Sequence, residues 1–396
     1  MNISEKTKNL LQGSSVIRKL FEEGRAMAEI VGEENVYDFS LGNPFVEPPA
    51  AVAQSIIRLV EEKEQGYLHG YMKNAGYDEV RQAVADSLNR RFAMDYRMEN
   101  IIMTVGAAGG LNCIFSAFLN PGEEVLCFAP YFGEYRSYVM NYYGKLVLVP
   151  ADMETMQMNL AEADALINER TRIILLNNPN NPSGVIYPKE DLIRLGQLVE
   201  KAERRIGHRI CIVSDEPYRE LVYDGAEVPY MPNYIKNCIV CYSFSKSLSL
   251  PGERIGYMAV SPDMEDYQQV EDALIVSNRA LGFINAPSLF QLVVKECLEE
   301  KVNVEVYDRS RRLLYEGLKA LGFTCIKPQG AFYMLVKSPV ADEQEFVEEG
   351  KKHNILMVST KTFGCPGYVR LAYCIPYETI EKSMKAFAEL AKHYFG

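Results

Sequence analysis

One lysine in the chain lies in surroundings that could make it a nucleophile. Lys246 follows the apolar run CIVCYSF, with Ser243 and Ser245 beside it and Arg254 eight residues further on. Apolar surroundings and nearby cations lower the pKa of a lysine amine, and the neutral amine can form a Schiff base with a carbonyl compound. The hydroxyls and the guanidinium are groups that bind a phosphate. The alternative interpretation is an ordinary solvated loop lysine.

A carboxylate and a phenol follow a second apolar run. Asp215 and Tyr218 belong to the segment SDEPY, which comes directly after ICIV. Ligands of open α/β sheets bind at the carboxyl ends of the strands, so the aspartate could pair with a heterocyclic cation there. The phenol could donate a hydrogen bond to an oxyanion. An aspartate that only caps a helix is the alternative.

Two turns complete the set of candidate residues. Gly106, Ala107 and Ala108 begin the segment GAAGG between a predicted strand and a predicted helix, where free backbone N–H groups and the helix dipole favour an anion. The segment is neither GxGxxG nor a P-loop, which argues against a dinucleotide. Asn181 lies in the turn NNPNNPSG. Either turn alone would indicate only a connection, but four polar segments at the strand ends of one sheet indicate a ligand site.

The elements that must hold these residues alternate along the chain. Apolar runs predict strands at 100–105, 124–129, 146–149, 172–176, 209–214, 238–243 and 254–260. Helical patterns between them predict helices at 111–119, 159–168, 189–204 and 264–277. Strands that are apolar throughout are typical of a largely parallel sheet covered by helices on both faces. After Pro287, a long helical pattern to about Leu321 is followed by strands and helices of an α+β type.

We therefore expect an α/β fold with two domains and an N-terminal segment. The large domain is expected at 46–282 and the smaller α+β domain at 283–396, and residues 1–45 are expected to pack with the small domain. The absence of a long linker predicts a close interface between the domains, and such clefts are common ligand sites.

Composition argues against several classes of protein. The 396 residues are 48% hydrophobic and 24% charged, which is ordinary for a globular chain, and the net charge of −11 disfavours nucleic acid and anionic lipid as partners. The nine cysteines and four histidines show no metal-ligand spacing, so no metal site is expected. Unpaired cysteines, no recognisable signal peptide and no long apolar run predict a soluble cytoplasmic protein without a membrane segment.

Taken together, the motifs resemble those of the class I/II aminotransferases, fold-type-I enzymes that use pyridoxal 5′-phosphate (PLP). NNPNNPSG is similar to the family's NPNNPTG, SDEPY to its (S/D)DE(I/V/P)Y, and SFSKSLSLPGERIGY to its SFSK…G.R.GY signature. SLGNPF and YVRLAYC are similar to segments near the two ends of the family pattern. The matches run in order from about Phe39 to Cys374, which is nearly the whole chain.

The resemblance implies a role for each matching residue. Lys246 would hold PLP as an internal aldimine and act as base and acid, while Asp215 would keep the pyridinium nitrogen protonated. Tyr218 and Asn181 would hydrogen-bond the ring oxygen O3′. Phe132 would stack on the ring, with core packing as the alternative. The phosphate would be bound by the remaining residues of the set, which are Gly106, Ala107, Ala108, Ser243, Ser245 and Arg254.

The resemblance also implies how substrate is bound. Arg370 would clamp the α-carboxylate, assisted by Gly42 and Asn181. Tyr71 would reach the phosphate of the neighbouring subunit's cofactor, so a homodimer with active sites at the subunit interface is expected. Arg279 is a candidate for a second substrate carboxylate, and a surface or interdomain salt bridge is its alternative.

Two segments depart from the family pattern. Thr360 replaces a glycine in a loop expected beside the substrate, and the lead-in to Arg254 is Pro251-Gly252-Glu253 instead of the commoner TGW. Both substitutions are expected to affect the shape of the site, while the arginine itself is retained.

The expected function is ping-pong transfer of the α-amino group from an amino acid, with aspartate as a candidate donor, to a 2-oxo acid such as 2-oxoglutarate. A PLP-dependent C–S or β-lyase is the alternative, since proton abstraction at Cα serves both reactions. A non-catalytic regulator is disfavoured because Lys246, Asp215 and Arg370 are all present. The motifs do not identify the amino-acid donor.

Overall fold

The structure, a computed structural model, describes residues 2–13 and 15–396. Within these residues the strands are β1 (Tyr37–Asp38), β2 (Ile101–Thr104), β3 (Glu124–Phe128), β4 (Lys145–Val149), β5 (Thr171–Asn177), β6 (Cys211–Asp215), β7 (Cys238–Ser243), β8 (Gly256–Val260), β9 (Tyr333–Lys337), β10 (Ile355–Leu356), β11 (Val358–Ser359) and β12 (Tyr368–Ala372). The helices of the first half are α1 (Glu5–Gly13), α2 (Ser15–Val31), α3 (Ala50–Glu62), α4 (Gln65–His69), α5 (Asp78–Phe92), α6 (Gly106–Phe118), α7 (Glu134–Asn141) and α8 (Leu160–Leu166). Those of the second half are α9 (Lys189–Ile206), α10 (Phe244–Ser247), α11 (Tyr267–Ala280), α12 (Ser288–Glu296), α13 (Val304–Ala320), α14 (Glu343–Lys352) and α15 (Tyr377–Phe395).

A seven-stranded sheet forms the centre of the large domain, and the predicted fold class is confirmed. Its strand order is β2-β8-β7-β6-β5-β3-β4, and only β8 runs antiparallel to its neighbours. Strands β3, β6, β7 and β8 are buried along their whole length. This burial is the reason for their continuous apolar sequences.

Helices cover both faces of this sheet. Successive strand residues point to opposite faces, so Ile212 belongs to one apolar core and Val213 to the other. The first core includes apolar residues of α3, α5, α9 and α12, and the second includes those of α6, α7 and α11. The carboxyl ends of β5, β6 and β7, where the candidate motifs lie, therefore meet at one edge of a rigid layer.

The small domain is built on the antiparallel sheet β11-β12-β9, and α13 packs against α15. The N-terminal segment lies against this domain: β1 pairs with β10, and Leu20 of α2 packs with Val358 and Phe363. An ion pair of 2.8 Å between Lys351 and Glu23 also joins α14 to α2.

Two predicted elements differ in the structure. The helical pattern after Pro287 is interrupted, since α12 ends at Glu296 and α13 begins at Val304 after its N-cap Asn303. Because α12 packs on α3 and α5, its apolar residues belong to the large-domain core, and we propose a domain boundary between α12 and α13 instead of at residue 283. The GAAGG segment is the first turn of α6 itself, which begins at Gly106 and not at residue 111.

Across residues 2–13 and 15–396, no helix combines the length and the apolar character that crossing a bilayer requires.

Candidate active site

A cavity of about 360 Å³ lies between the carboxyl ends of the central strands and the small domain. It brings together most of the residues predicted from the sequence, namely Gly42, Ala107, Ala108, Phe132, Asn181, Asp215, Tyr218, Ser243, Ser245, Lys246, Arg254 and Arg370. Both domains contribute, since Arg370 lies on β12 and Lys246 follows β7. Of the predicted site residues, Gly106 lies immediately behind this lining and Tyr71 lies outside it.

Lys246 lies on the short helix α10, directly after β7. Its Nζ donates a hydrogen bond of 3.0 Å to the backbone oxygen of Gly42, and it lies 5.1 Å from the ring centroid of Phe332. Burial lowers the pKa of this amine to about 8; the nearby Arg254 lowers it further, and Cys374 opposes the shift. A substantial fraction of the amine is therefore neutral, and nucleophilic, near pH 8.

Asp215 is the last residue of β6, and its two carboxylate oxygens have different surroundings. Oδ2 accepts a hydrogen bond of 2.5 Å from Tyr135, whereas Oδ1 is buried and has no hydrogen-bond partner among the described residues. Burial raises the pKa of the carboxyl group to about 7; the Tyr135 hydrogen bond opposes the shift and Glu216 adds to it. An unpartnered buried oxygen is costly, so this position is suited to a ligand that supplies an N–H donor.

The asparagine-rich turn joins the ends of β5 and β6. Asn177 donates to the backbone oxygen of Asp215 at 2.9 Å and accepts from the backbone N–H of Asn181 at 2.6 Å. The side chain of Asn181 then lies between two further site residues, 3.3 Å from Tyr218 Oη and 3.5 Å from Arg370 Nη1. Through these bonds the turn helps to orient three candidate site residues, Asp215, Tyr218 and Arg370, as well as reversing the chain.

Arg370 is buried on β12, with its guanidinium held on several sides. Nη2 donates to the backbone oxygen of Ser40 at 2.6 Å, and the guanidinium carbon lies 4.6 Å from the ring centroid of Tyr333 and 5.3 Å from that of Phe363. Nε is buried without a hydrogen-bond partner in the described part of the chain. A guanidinium that is held in place at a cavity wall and has an N–H donor available is suited to binding a carboxylate.

The other end of the cavity carries a set of anion-binding groups. Ser243 and Ser245 face each other at 2.8 Å between their hydroxyl oxygens, and Arg254 Nη1 donates to the backbone oxygen of Pro251 at 2.9 Å. Gly106 has a φ of +66°, and a Cβ there would lie only 3.1 Å from Arg254 Nη2. The N-terminus of α6 can therefore approach the guanidinium closely, which combines helix N–H groups with a charge.

Several lining residues carried no clear signal in the sequence. Tyr138 and Tyr333 line the cavity, and Tyr135 lies behind Asp215. Phe132 lies two residues before α7 and Tyr135 in its first turn, and their rings contact edge to face with centroids 5.5 Å apart. No local pattern in the sequence marks the contact of Tyr135 with Asp215, which lies 80 positions away.

Two candidate residues are exposed on the surface near one another. Tyr71 is 92% exposed, and Arg279 is exposed at the end of α11. The loops that follow them are tied together, since Asn74 donates to the backbone oxygen of Ile284 at 3.1 Å and Asn285 donates to that of Lys73 at 2.8 Å. Neither residue lines the cavity described above.

No group of three or more His, Cys, Asp or Glu side chains comes together as a metal site anywhere in residues 2–13 and 15–396.

The family model described as aminotransferase class I and II matches residues 34–387. The chain belongs to this family. A crystal structure of an amino transferase from Eubacterium rectale superimposes with a TM-score of 0.97 at 43% identity, covering 100% of both chains. A probable aspartate aminotransferase from Methanocaldococcus jannaschii is 29% identical over 98% of this chain and 99% of its own length. An aromatic-amino-acid aminotransferase from Thermococcus litoralis is 29% identical over 96% of each chain.

The protein is therefore a transaminase, of a family that uses PLP and acts on amino and oxo acids. Its departure at Thr360 has a structural role: the single proton of the buried hydroxyl is shared between the backbone oxygens of Cys365 and Tyr368, the latter at 2.8 Å from Oγ1. These bonds close the loop that brings Phe363 against Arg370. The Thr360 side chain thus stabilises the loop, at a position where the family pattern has glycine.

Proposed function

We propose that the chain transfers the α-amino group of an amino acid, with aspartate as the first candidate, to a 2-oxo acid such as 2-oxoglutarate, and that PLP bound at Lys246 is its cofactor. The observation that carries the proposal is a pair of buried polar atoms, Asp215 Oδ1 and Arg370 Nε, which have no hydrogen-bond partner within residues 2–13 and 15–396 and belong to the cavity that also contains the lysine amine. The carboxylate oxygen requires a hydrogen-bond donor, and the guanidinium nitrogen requires an acceptor.

The cavity has groups that match each part of PLP. Asp215 Oδ1 is available to the protonated ring nitrogen, and the Tyr218 phenol and the Asn181 amide are available to the ring oxygen. Ser243, Ser245, Arg254 and the first N–H groups of α6 form the phosphate-binding end. Phe132 lines the same cavity and is available to the ring face. PLP, when bound, supplies an electron sink for charge that develops at the substrate Cα.

The protein's own contribution starts with Lys246. Its amine, with a pKa of about 8, has a substantial neutral fraction near pH 8, so Nζ is the group proposed to take the proton from the substrate Cα and to return it. The buried Asp215 carboxylate would keep its ring partner charged, because a negative charge close to a cation favours the charged form of that cation. Tyr135 fixes the orientation of the carboxylate through Oδ2.

Arg370 is proposed to bind the α-carboxylate of both substrates. Its contacts with Ser40 and Tyr333 hold the guanidinium before substrate arrives, so little side-chain entropy is lost on binding. The buried position of the guanidinium also removes water that would weaken the ion pair.

A homodimer is proposed because Tyr71 is almost fully exposed in the single chain. Reaching the phosphate bound by a neighbouring subunit would give this phenol a partner. The loop after Arg279 is hydrogen-bonded to the loop after Tyr71, so both residues would approach the same neighbouring site. Since the cations of the described cavity lining are Lys246, Arg254 and Arg370, all with roles, Arg279 is the candidate for a second substrate carboxylate.

An absorbance experiment tests the cofactor and the reaction together. Purified protein with PLP is expected to show a visible band, which a donor amino acid removes and a 2-oxo acid restores. Lys246→Ala should lack the band of lysine-bound cofactor, whereas the exposed control Lys201→Ala should retain it. Loss of the band with release of pyruvate and ammonia, and no recovery with 2-oxo acid, would indicate the lyase reaction. Absence of any band would contradict the proposal.

A second experiment tests the substrate class. Arg279→Leu is expected to raise KM for aspartate and 2-oxoglutarate about 10-fold or more, as for the loss of a charged hydrogen bond, while KM for alanine is unchanged. Arg90→Leu, an exposed arginine paired with Glu299, is the matched control. Equal effects on aspartate and alanine would exclude Arg279 as a side-chain ligand.

A further inference from the structure

Tyr333 contacts three residues that have a role in the proposed function. It lies buried on β9 and lines the cavity. Its Oη lies 3.2 Å from Tyr218 Oη, and its ring centroid lies 4.6 Å from the guanidinium carbon of Arg370. A Cβ at Gly42 would lie only 1.9 Å from Tyr333 Oη, so the phenol fills the space that this glycine leaves. A single side chain therefore connects the carboxylate-binding arginine with the phenol assigned to the cofactor.

Both phenols stay protonated in their buried surroundings, and their other contacts determine which of them donates the hydrogen bond. Burial raises the pKa of Tyr333 to about 12, with Arg370 and the Tyr218 hydrogen bond opposing the shift and Cys374 adding to it. Burial raises the pKa of Tyr218 well above its usual range, with Tyr333 and Asp215 adding to the shift and Arg370 opposing it. Tyr218 Oη already accepts a hydrogen bond of 3.3 Å from Asn181 Nδ2, whereas Tyr218 Oη is the one hydrogen-bond partner of the Tyr333 hydroxyl among the described residues. The Tyr333 proton therefore points at Tyr218, so Tyr333 donates and Tyr218 accepts.

We propose that Tyr333 is a positioning residue: its hydroxyl donates to Tyr218 and leaves the Tyr218 proton free to point at the ring oxygen of the cofactor, while its ring supports the guanidinium of Arg370. The inference rests on the proposed function. It assigns two separable tasks to one residue, because the hydroxyl acts on Tyr218 and the ring acts on Arg370. A chain of two hydroxyl donors also strengthens the second hydrogen bond.

Tyr333→Phe removes the hydroxyl that donates to Tyr218 and retains the ring that supports Arg370. The apparent pKa of the bound cofactor, followed by its visible band, is expected to rise by about 0.5–1 unit, because a weaker Tyr218 donor stabilises the deprotonated ring oxygen less. The turnover number should fall about 2- to 10-fold, with KM for the amino acid unchanged. The control is Tyr96→Phe, which removes one hydroxyl of another buried tyrosine pair. Tyr96 Oη and Tyr230 Oη lie 2.8 Å apart, and neither residue lines the cavity. This control should lower stability without shifting the cofactor pKa.

Tyr333→Leu also removes the ring beneath Arg370. The loss of the cation–π contact is expected to raise KM about 5- to 30-fold, in addition to the pKa change. A double variant tests the path through Tyr218: in a Tyr218→Phe background, Tyr333→Phe should cause no further pKa shift.

An unchanged or lowered cofactor pKa in Tyr333→Phe overturns the proposal, and so do additive shifts in the double variant. A shift of equal size in Tyr96→Phe would reduce the effect to a general loss of packing and overturn it as well. These measurements require a wild-type protein that binds PLP. If the wild-type protein shows no cofactor band, the proposed function fails; if the band is present and the Tyr333 variants do not shift its pKa as expected, only the role of Tyr333 fails.

Discussion

Replacing Asp215 with asparagine is expected to change stability and cofactor binding in opposite directions. In the protein without cofactor, burial raises the pKa of this carboxyl group from 3.8 to about 7. The folded state therefore holds the proton more tightly than the unfolded chain. The stability associated with this group is greatest below pH ~4 and falls as the pH rises through about 7. An asparagine carries no such titration.

The size of the effect follows from the pKa shift. A difference of about three pKa units corresponds to ~4 kcal/mol at pH values above the folded pKa. Part of this stability is already lost at pH 5. Between pH 5 and pH 8, the free energy of unfolding of the wild-type chain should therefore fall by about 2.5 kcal/mol relative to that of Asp215→Asn. Any pH-independent difference between amide and carboxyl cancels in this comparison.

Urea unfolding of the cofactor-free proteins at pH 5 and pH 8 measures the difference. Because the chain contains no tryptophan, circular dichroism is the suitable signal. Asp86→Asn, at an exposed position on α5, is the control and should show the same stability difference from wild type at both pH values. If Asp215→Asn also shows the same difference at both pH values, the carboxylate is not the buried, unpaired group described here.

The same substitution should weaken the binding of PLP. Truncating one partner of a buried charge pair costs about 2–5 kcal/mol, which is a loss of affinity of about 30-fold to several thousand-fold. Absorbance titration of the cofactor-free proteins measures it. Affinity equal to that of the wild type would contradict the pairing of Asp215 with the ring nitrogen.

Three further substitutions or titrations test other parts of the site. Gly42→Ala should raise KM for the amino acid about 10-fold or more, because the new Cβ must displace Tyr333, whereas Gly66→Ala meets no atom within 4 Å and should have no effect. The rate at which the cofactor-free protein captures PLP should rise with pH to a plateau, with a midpoint near 8 set by the Lys246 amine; a midpoint near 10.5 would contradict the burial argument. Arg254→Gln should weaken PLP about 10- to 100-fold while leaving the affinity for unphosphorylated pyridoxal unchanged, and equal losses for both would exclude a phosphate-binding role.

The central sheet and its polar strand ends could be predicted because the signals are local. A strand buried on both faces has a continuous apolar sequence, and a polar residue at its end marks the edge of the sheet. Asp215 at the end of β6 and Lys246 after β7 follow this rule, and both line the cavity. The family motifs supplied Arg370, whose own segment contains no such local signal.

The residues that were missed enter the site through contacts distant in sequence. Ser40 and Arg370 are hydrogen-bonded across 330 positions, and Tyr135 reaches Asp215 across 80. No periodicity or turn pattern encodes such pairs, since they depend on how the small domain and α7 pack on the sheet. The interruption between α12 and α13 has a similar origin, because the chain there leaves one core and enters the other, and Val302 is hydrogen-bonded to Ser247.

The cavity carries polar groups that the folded chain alone does not satisfy. Asp215 Oδ1 and Arg370 Nε are buried without partners among the described residues, and the Lys246 amine is desolvated. Each of these lowers the stability of the cofactor-free protein, and these are the atoms that would bind PLP and substrate. A ligand that satisfies them should therefore stabilise the fold as well as react in it. Stabilisation by PLP should be smaller in Asp215→Asn than in the wild type, because the variant has already removed one of these costs.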